Sequence, residues 1–251
     1  MSTFAFNFLD SDSTEKDTST LPTPTTPIVP PVLYSPPTNP LNYPSTPLLA
    51  YPSISLTHSS TISSLPSTHD LVPGFEGGHK TWESSVDLLD VLGDCKGGTI
   101  LELGCGTSLP TLYLLQKNPT STATVIDYNL PVIQTTTFPN FHTNRLSSHV
   151  KFYSGDWNGL TDVGVGEFDV VIASETVYTV EKTQESLELV RRHLKKGGVG
   201  YVAGKRFYFG CGGGMGLFKE LIDGEEFEWE VKEFDNGKSN VRDIVIMRRR
   251  K

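Results

Sequence analysis

The sequence predicts an α/β fold of the Rossmann-like kind, in which a mostly parallel sheet carries helices on both faces. From Gly74 onward, short apolar runs alternate with longer amphipathic stretches, as in repeated βα units. The run Thr99–Leu103 leads directly into the glycine turn Gly104–Gly106, the arrangement with which such folds shape a nucleotide pocket. Two further apolar runs, joined by Asn236 and Gly237, predict a C-terminal β-hairpin.

The predicted elements alternate in chain order. Strands are predicted at Thr99–Leu103, Thr122–Asp127, Val150–Ser154, Phe168–Ser174, Gly198–Ala203, Phe227–Phe234 and Val241–Met247. Helices are predicted at Ser84–Leu92, Leu109–Gln116, Leu130–Asn144, Lys182–Leu194 and Leu217–Ile222. Pro131 suits the first turn of its helix, whereas Pro139 lacks an N–H group and predicts a break within the same helix.

Composition divides the chain into two regions. Residues 1–70 contain 12 of the 17 prolines, whereas all 23 glycines follow them. The first region is rich in Ser, Thr and Pro and too poor in periodic apolar residues to offset the entropy of ordering. We therefore predict that residues 1–70 are disordered and that 71–251 form one folded domain. The alternation of Phe4, Phe6 and Phe8 leaves two interpretations open, a short docking strand or a fortuitous apolar start.

Charge and cysteine usage narrow the class of protein. A net charge of −8 argues against direct nucleic-acid binding, which requires an excess of Lys and Arg. The three cysteines lie far apart and form no CxxC pair, so neither a disulfide framework nor a zinc site is predicted. A reducing compartment fits this usage. No apolar run approaches the roughly 18 residues of a membrane span.

The glycine turn itself indicates the kind of ligand. Gly104 and Gly106 can adopt positive φ and carry no Cβ, so the backbone can curl around a bulky ligand. No third glycine follows at the spacing that a dinucleotide pyrophosphate requires. Asp127 closes the next apolar run, where such folds place an acid for ribose hydroxyls. The sequence therefore predicts a ligand that contains a nucleoside but no diphosphate.

Six stretches, taken in order, resemble the seven-strand S-adenosylmethionine-dependent methyltransferases, and within them the histidine protein methyltransferases. They are Phe75–Glu83, Leu101–Gly106, Ile126–Asn129, Phe152–Trp157, Ala173–Tyr178 and Lys205–Gly214. The resemblance covers residues 72 to about 222 and implies a Rossmann-like seven-strand methyltransferase sheet with a terminal hairpin. It also implies S-adenosyl-L-methionine as cofactor. The chain departs from the commoner family pattern at Thr107–Pro110 and in its long proline-rich tail.

The resemblance implies a set of cofactor-binding residues along the carboxyl ends of the strands. Trp82 and Glu83 would lie over the methionine end, Asp127 would hold the ribose, and Trp157 would frame the adenine. Trp82 and Trp157 also suit a core, and Glu83 also suits a helix cap. The full predicted set is Trp82, Glu83, Gly104, Cys105, Gly106, Asp127, Tyr128, Gly155, Asp156, Trp157 and Ser174.

The acceptor side of the site is predicted by position next to the fourth and fifth strands. The candidate substrate-binding residues are Glu175, Tyr178, Lys205, Tyr208 and Gly210. No catalytic base is assigned, and no metal is expected. The run Gly210–Gly216 is either a mobile lip that admits a protein loop or a flexible connector.

The predicted reaction is methylation of a histidine imidazole on a protein. A neutral imidazole, with a reference pKa of about 6.5, is already nucleophilic at pH 7, whereas a lysine must first lose a proton. The family suggests a large-subunit ribosomal protein as substrate, a location in the cytoplasm and nucleus, and a monomer. Three alternatives stay open at this point: lysine methylation, a non-catalytic cofactor-binding adaptor and, least favoured, an NAD-linked oxidoreductase.

Overall fold

The computed structural model describes residues 30–37, 45–48, 51–57, 77–222, 224, 226–235, 237 and 241–251. The aromatic start at Phe4–Phe8 lies outside the described residues. The strands are β1 (Val32–Leu33), β2 (Ser45–Leu48), β3 (Tyr51–Thr57), β4 (Thr99–Leu103), β5 (Thr122–Asp127), β6 (Val150–Ser154), β7 (Phe168–Ser174), β8 (Leu194–Lys205), β9 (Phe227–Phe234) and β10 (Arg242–Arg249). The helices are α1 (Glu83–Val91), α2 (Leu109–Lys117), α3 (Leu130–Val132), α4 (Phe138–Thr143), α5 (Val180–His193) and α6 (Met215–Leu221).

Eight of these strands form one sheet in the order β1-β6-β5-β4-β7-β8-β10-β9. Strands β4 to β8 are parallel, and β10 runs antiparallel between β8 and β9. The predicted α/β class and the terminal hairpin are therefore confirmed. β4 pairs with β5 on one side and with β7 on the other. From β4 the chain therefore builds the sheet first in one direction, through β5 and β6, and then in the other, through β7 and β8, so the strand order reverses at β4. A crevice opens at such a reversal, at the carboxyl ends of the strands.

Helices cover both faces of the sheet, as the apolar alternation predicts. Leu101 and Leu103 of β4 pack into a core with side chains of α5 and α6, such as Leu187 and Phe218. Ile100, between them on the same strand, faces a second core built with α1, α2 and α4. Successive strand side chains point to opposite faces, so one strand supplies both cores.

The predicted boundary at residue 70 needs a correction. Strand β1 lies within the region predicted to be disordered, yet it pairs antiparallel with β6 and forms the eighth strand of the main sheet. Strands β2 and β3 pair with each other as a separate ribbon. Composition did not predict β1, because a two-residue edge strand depends on its partner strand and not on local apolar content.

The break predicted at Pro139 is a π turn instead. Between α3 and α4 the residues Ile133–Thr137 widen into this turn, and the N–H of Phe138 donates to the carbonyl of Ile133. Pro139 then falls in the first turn of α4, a position at which a helix tolerates a residue without an N–H. The helical segment therefore continues through the proline.

A buried ion cluster ties the hairpin to the segment after β8. The Asp243 carboxylate is fully buried and lies 2.6 Å from Arg206 Nη2 and 2.7 Å from Lys219 Nζ. Burial alone would raise the pKa of Asp243, but the hydrogen bonds from both cations hold it below its usual value. The backbone of Arg206 is fixed in turn, since its carbonyl accepts from the N–H of Gly216 at 3.1 Å.

Candidate active site

A cleft opens where the strand order reverses, beyond the carboxyl ends of β4, β5 and β7. It is lined by Gly78, Lys80, Trp82, Ser85, Gly104, Cys105, Gly106, Thr107, Asp127, Trp157, Ser174, Glu175, Thr176 and Tyr178. A larger cleft of ≈ 730 Å³ lies at the amino ends of the parallel strands, between Cys95, Gly197 and Arg248. That second cleft lies away from the crevice in which ligands of this fold bind.

The glycine turn forms the floor of the first cleft. Gly104 has φ of +60° and Gly106 has φ of +48°, a conformation that side chains rarely adopt. A Cβ on Gly104 would lie 3.1 Å from the Trp157 ring, and one on Gly106 would lie 2.9 Å from the carbonyl oxygen of Gly78. Both glycines are therefore required by backbone conformation and by close packing.

Asp127 fastens this turn to the end of β5. Its Oδ2 accepts from the N–H of Gly106, and its Oδ1 accepts from the N–H of Asn129, each at 3.0 Å. The side chain is buried, with 5% of its surface exposed. Asp127 thus lines the cleft as predicted, and it also holds the turn in shape through two charge-assisted bonds.

Glu102 is a second buried acid beneath the turn. Its carboxylate accepts a hydrogen bond from the hydroxyl of Ser108, a residue with φ of +54° at the start of α2. Burial raises the pKa of Glu102 from 4.5 to about 7, the bond from Ser108 opposes the rise, and the nearby Asp127 adds to it. The Cys105 thiol is also buried, which raises its pKa and keeps it protonated at neutral pH. Cys105 is therefore not a thiolate nucleophile.

Trp157 forms one wall of the cleft. The Tyr128 ring packs edge-on against it with the centroids 6.5 Å apart, and Lys182 Nζ lies 5.2 Å from each ring centroid. The Asp156 side chain accepts from the N–H of Asn158 and starts the short 3₁₀ turn that contains Trp157. Within the described chain, the buried indole Nε1 of Trp157 has no hydrogen-bond partner. Such a buried donor fits a ligand acceptor.

Glu175 stands at the acceptor side of the cleft, directly after β7. Its carboxylate accepts from the hydroxyls of Ser84 and Tyr208, and its backbone N–H donates to the carbonyl of Ala203 at 2.8 Å. The residue has φ of +58°, so the structure holds it in a strained conformation. Burial raises the pKa of Glu175, although the two hydroxyl donors and Lys205 oppose the rise.

The mouth of the cleft is aromatic and cationic. Lys80 Nζ lies 4.4 Å and Lys205 Nζ 5.4 Å from the centroid of Trp82. Lys205 Nζ also lies 5.6 Å from the centroid of Tyr208, whose hydroxyl accepts from the backbone N–H of Lys205 at 3.2 Å. Lys205 and Tyr208 do not line the cleft themselves. Lys205 contacts the lining residue Trp82, and Tyr208 contacts the lining residue Glu175.

The glycine-rich run after β8 is more tightly packed than predicted. A Cβ on Gly213 would lie 2.5 Å from the carbonyl oxygens of Val177 and Thr179. Gly212 forms a β-bridge with Thr179, and the N–H of Cys211 donates to the carbonyl of Tyr208 at 3.1 Å. These contacts pack the run against the segment after β7, and the mobile lip and the flexible connector both stay predictions. Gly210 stands apart from them, exposed and with open space around its Cα.

The structure brings most of the predicted site residues together at the cleft. Their ligand-binding roles stay predictions. Glu83 does not line the cleft; it is exposed in the first turn of α1, where its charge suits the helix dipole. Tyr128, Gly155 and Asp156 lie behind the wall and support Trp157. The prediction missed Gly78, Lys80, Ser85, Thr107 and Thr176 among the lining residues.

The residues present fit S-adenosylmethionine, but the cleft is narrow. Its volume is ≈ 50 Å³, whereas ligand pockets usually measure about 300–1,000 Å³. Residues 77–82 lie across the opening, with the Trp82 indole donating to the Gly77 carbonyl at 3.3 Å and Thr81 bonded to Thr107 at 3.0 Å. A nucleoside-sized ligand needs more room than the cleft has in this conformation. The unpartnered indole of Trp157 and the Cβ-free glycine floor suit such a ligand.

Solved methyltransferases share this fold. The N-methyltransferase NodS from Bradyrhizobium japonicum, solved with S-adenosylhomocysteine, is 18% identical with a TM-score of 0.53, over 66% of this chain and 86% of that one. The Bacillus cereus O-methyltransferase, also solved with S-adenosylhomocysteine, is 14% identical with a TM-score of 0.56, over 76% and 86% of the two chains. These likenesses show that the chain has the fold of these methyltransferases.

Sequence comparison identifies the family to which the chain belongs. The methyltransferase domain family matches residues 94–234, and the chain belongs to that family. The chain is 38% identical over 185 residues to histidine protein methyltransferase 1 homolog of Dictyostelium discoideum, which covers 70% of this chain and 59% of that protein. It is 28% identical over 207 residues to histidine protein methyltransferase 1 of Schizosaccharomyces pombe, covering 63% and 60%. The resemblance to this group is confirmed, although the chain spans little more than half of these relatives.

The raised pKa of Glu102 makes stability depend on pH. Between pH 4.5 and 7 the folded chain retains a proton that the unfolded chain releases, so this stabilising contribution is present at low pH and is lost as the pH rises. Glu102→Gln keeps an acceptor for Ser108 and removes the titration. The free energy of unfolding of the native chain should fall relative to the variant by up to roughly 3 kcal/mol between pH 5 and pH 8.

Urea unfolding followed by circular dichroism at the two pH values measures this difference. Glu228→Gln, at a carboxylate with 68% of its surface exposed, is the matched control and should keep the native pH dependence. Parallel pH curves for the native chain and Glu102→Gln would show that the acid is ionised in the fold.

The unpartnered indole of Trp157 predicts a hydrogen bond to the cofactor. Trp157→Phe retains an aromatic wall but removes the N–H, so S-adenosylhomocysteine should bind about 5- to 10-fold more weakly. Isothermal titration calorimetry measures the affinity. Trp229→Phe, on β9 and 40% exposed, is the control and should bind as the native chain does. Equal affinities for the native chain and Trp157→Phe would reduce Trp157 to a packing role.

Proposed function

We propose that this chain is a protein-histidine N-methyltransferase that uses S-adenosyl-L-methionine. The observation that carries the proposal is Glu175, a partly buried carboxylate in the cleft whose two oxygens are fixed by the hydroxyls of Ser84 and Tyr208. A carboxylate so held can accept the N–H of an imidazole ring. The lone pair of the other ring nitrogen is then directed at the cleft.

The reaction needs positioning more than acid–base chemistry. When bound, the cofactor supplies a methyl group that is already electrophilic because it is attached to a sulfonium. Glu175 orients the neutral ring, and its negative charge stabilises the positive charge that the ring gains when the new N–C bond forms. The bond between the methyl group and the sulfur would break as the N–C bond forms. The proton on the opposite nitrogen stays hydrogen-bonded to Glu175 during transfer and is then released through that carboxylate to solvent.

The charges at the cleft mouth favour histidine over lysine as the acceptor. Lys80 and Lys205 both bring ammonium groups to the Trp82 ring. A substrate lysine, with a reference pKa of about 10.4, would add a third cation at neutral pH, whereas an imidazole enters uncharged. The names of the curated relatives support the same choice.

Exposed aromatic side chains beside the site support a protein as the substrate. Phe207 is 59% exposed and Phe209 is 84% exposed, and they flank Tyr208 in the chain. Aromatic residues in such positions are typical of protein interfaces. The net charge of −8 complements a basic partner, and we propose a large-subunit ribosomal protein, met in the cytoplasm and nucleus by a monomeric enzyme.

Transfer of radiolabelled methyl groups tests the proposal. The full chain is incubated with labelled S-adenosylmethionine and with unmethylated ribosomes or whole lysate, and the labelled protein is hydrolysed to amino acids. Label in methylhistidine of a ribosomal protein is the expected result. Label in methyllysine would assign the lysine alternative, and cofactor binding without any transfer would assign the non-catalytic adaptor.

Glu175→Gln and Tyr208→Phe test the orienting role within the same assay. Either change loosens the held acceptor, and misplacement of a reacting group by about 1 Å lowers kcat on the order of 100-fold. S-adenosylhomocysteine affinity should change far less than kcat, because neither change touches the glycine floor. Glu228→Gln serves as the exposed control. Native kcat in both variants would remove Glu175 from the mechanism.

A further inference from the structure

Strand β1 places the N-terminal region against the rear of the cofactor cleft. Val32 pairs with Ser154 and Leu33 with Tyr153 of β6. The N–H of Tyr34 donates to the carbonyl of Phe152 at 2.8 Å, and its ring meets that of Phe138 edge-on with the centroids 5.8 Å apart. The segment Pro30–Tyr34 is thus anchored by backbone pairing and by an aromatic contact.

The residues just before β1 pack tightly on the turn that follows β6. A Cβ on Gly155 would lie 2.6 Å from the carbonyl oxygen of Pro30, and one on Gly159 would lie 2.5 Å from Cδ of Pro31. Pro31 is buried in this contact, whereas Val32 and Leu33 are 58% and 52% exposed. The close packing of the segment is therefore concentrated at the turn and not along the strand.

The same turn carries the wall of the cleft on its other side. The N–H of Gly155 donates to the carbonyl of Asp127 at 3.1 Å, and Asp156 caps the 3₁₀ turn that contains Trp157. Trp157 lines the cleft. A displacement of Pro30 and Pro31 would therefore reach the cofactor side through a short, closely packed turn.

We propose that Pro30–Tyr34 is a positioning element for cofactor binding. It touches no part of the cleft itself; it clamps residues 155–159 from behind and so fixes the indole of Trp157 against the ligand. The proline-rich N-terminal region thereby contributes to the cofactor affinity of the folded domain, although its composition differs from that of the domain. This inference concerns the cofactor and holds whichever residue is the methyl acceptor.

Gly159→Ala tests the clamp by a steric change at its contact. The φ of Gly159 is not in the left-handed region, so alanine suits the turn itself, but the new methyl group pushes against Pro31. Overpacking of this size should weaken S-adenosylhomocysteine binding about 5- to 10-fold in calorimetry on the full chain. The KM for S-adenosylmethionine should rise in proportion, with kcat at saturating cofactor unchanged.

Two further variants make the result specific. Gly166→Ala is the matched control, since a Cβ there meets nothing within 4 Å, and it should bind natively. Pro31→Ala, which removes the obstructing Cδ, should restore affinity when combined with Gly159→Ala. A lower Tm with native affinity would overturn the proposal in favour of a purely structural strand. Failure of Pro31→Ala to restore binding would also overturn it, because the effect would then not pass through the clamp.

If Gly159→Ala does not fold, Tyr34→Ala supplies the test, because it removes the ring contact with Phe138 and adds no bulk. Weaker S-adenosylhomocysteine binding with a native circular dichroism spectrum would support the clamp. Native binding by Tyr34→Ala would overturn it.

Discussion

The site depends on one constraint, the close approach of three chain segments at the glycine turn. Gly104 and Gly106 bring the chain within contact of Trp157 and of the carbonyl of Gly78, with no room for a Cβ at either position. Asp127 fixes the turn through the N–H of Gly106. The floor of the cleft is therefore backbone, and its shape is determined before any side chain contributes to specificity.

Three buried or partly buried acids surround this floor, and each is stabilised in a different way. Glu102 takes a hydroxyl bond and shifts its pKa towards neutrality, so part of the desolvation cost is avoided by protonation. Asp127 takes two backbone N–H groups. Glu175 takes two hydroxyls near the Lys205 ammonium. Among these three acids only Glu175 has a strained backbone, which is why the proposed chemistry is placed there.

The sequence predicted the parts of the molecule that local patterns determine. Apolar runs located the strands from β4 to β10 to within a few residues, and contiguous motifs located Gly104, Asp127 and Trp157. It failed where a distant contact decides the outcome. Strand β1 exists because β6 offers an edge and Gly155 and Gly159 leave space for two prolines. Ser84 is unremarkable in sequence because its partner, Glu175, lies 91 residues away.

One half of the cleft is formed mainly by backbone groups and the other mainly by side chains. The cofactor half consists mainly of backbone groups in a fixed turn, where almost any substitution disturbs the fold. The acceptor half consists of side chains from α1, the end of β7 and the segment after β8, represented by Ser84, Glu175 and Tyr208. These side chains can change without moving the glycine turn. A fold of this design keeps its cofactor while its acceptor varies, so the acceptor must be inferred from this cluster and not from the fold.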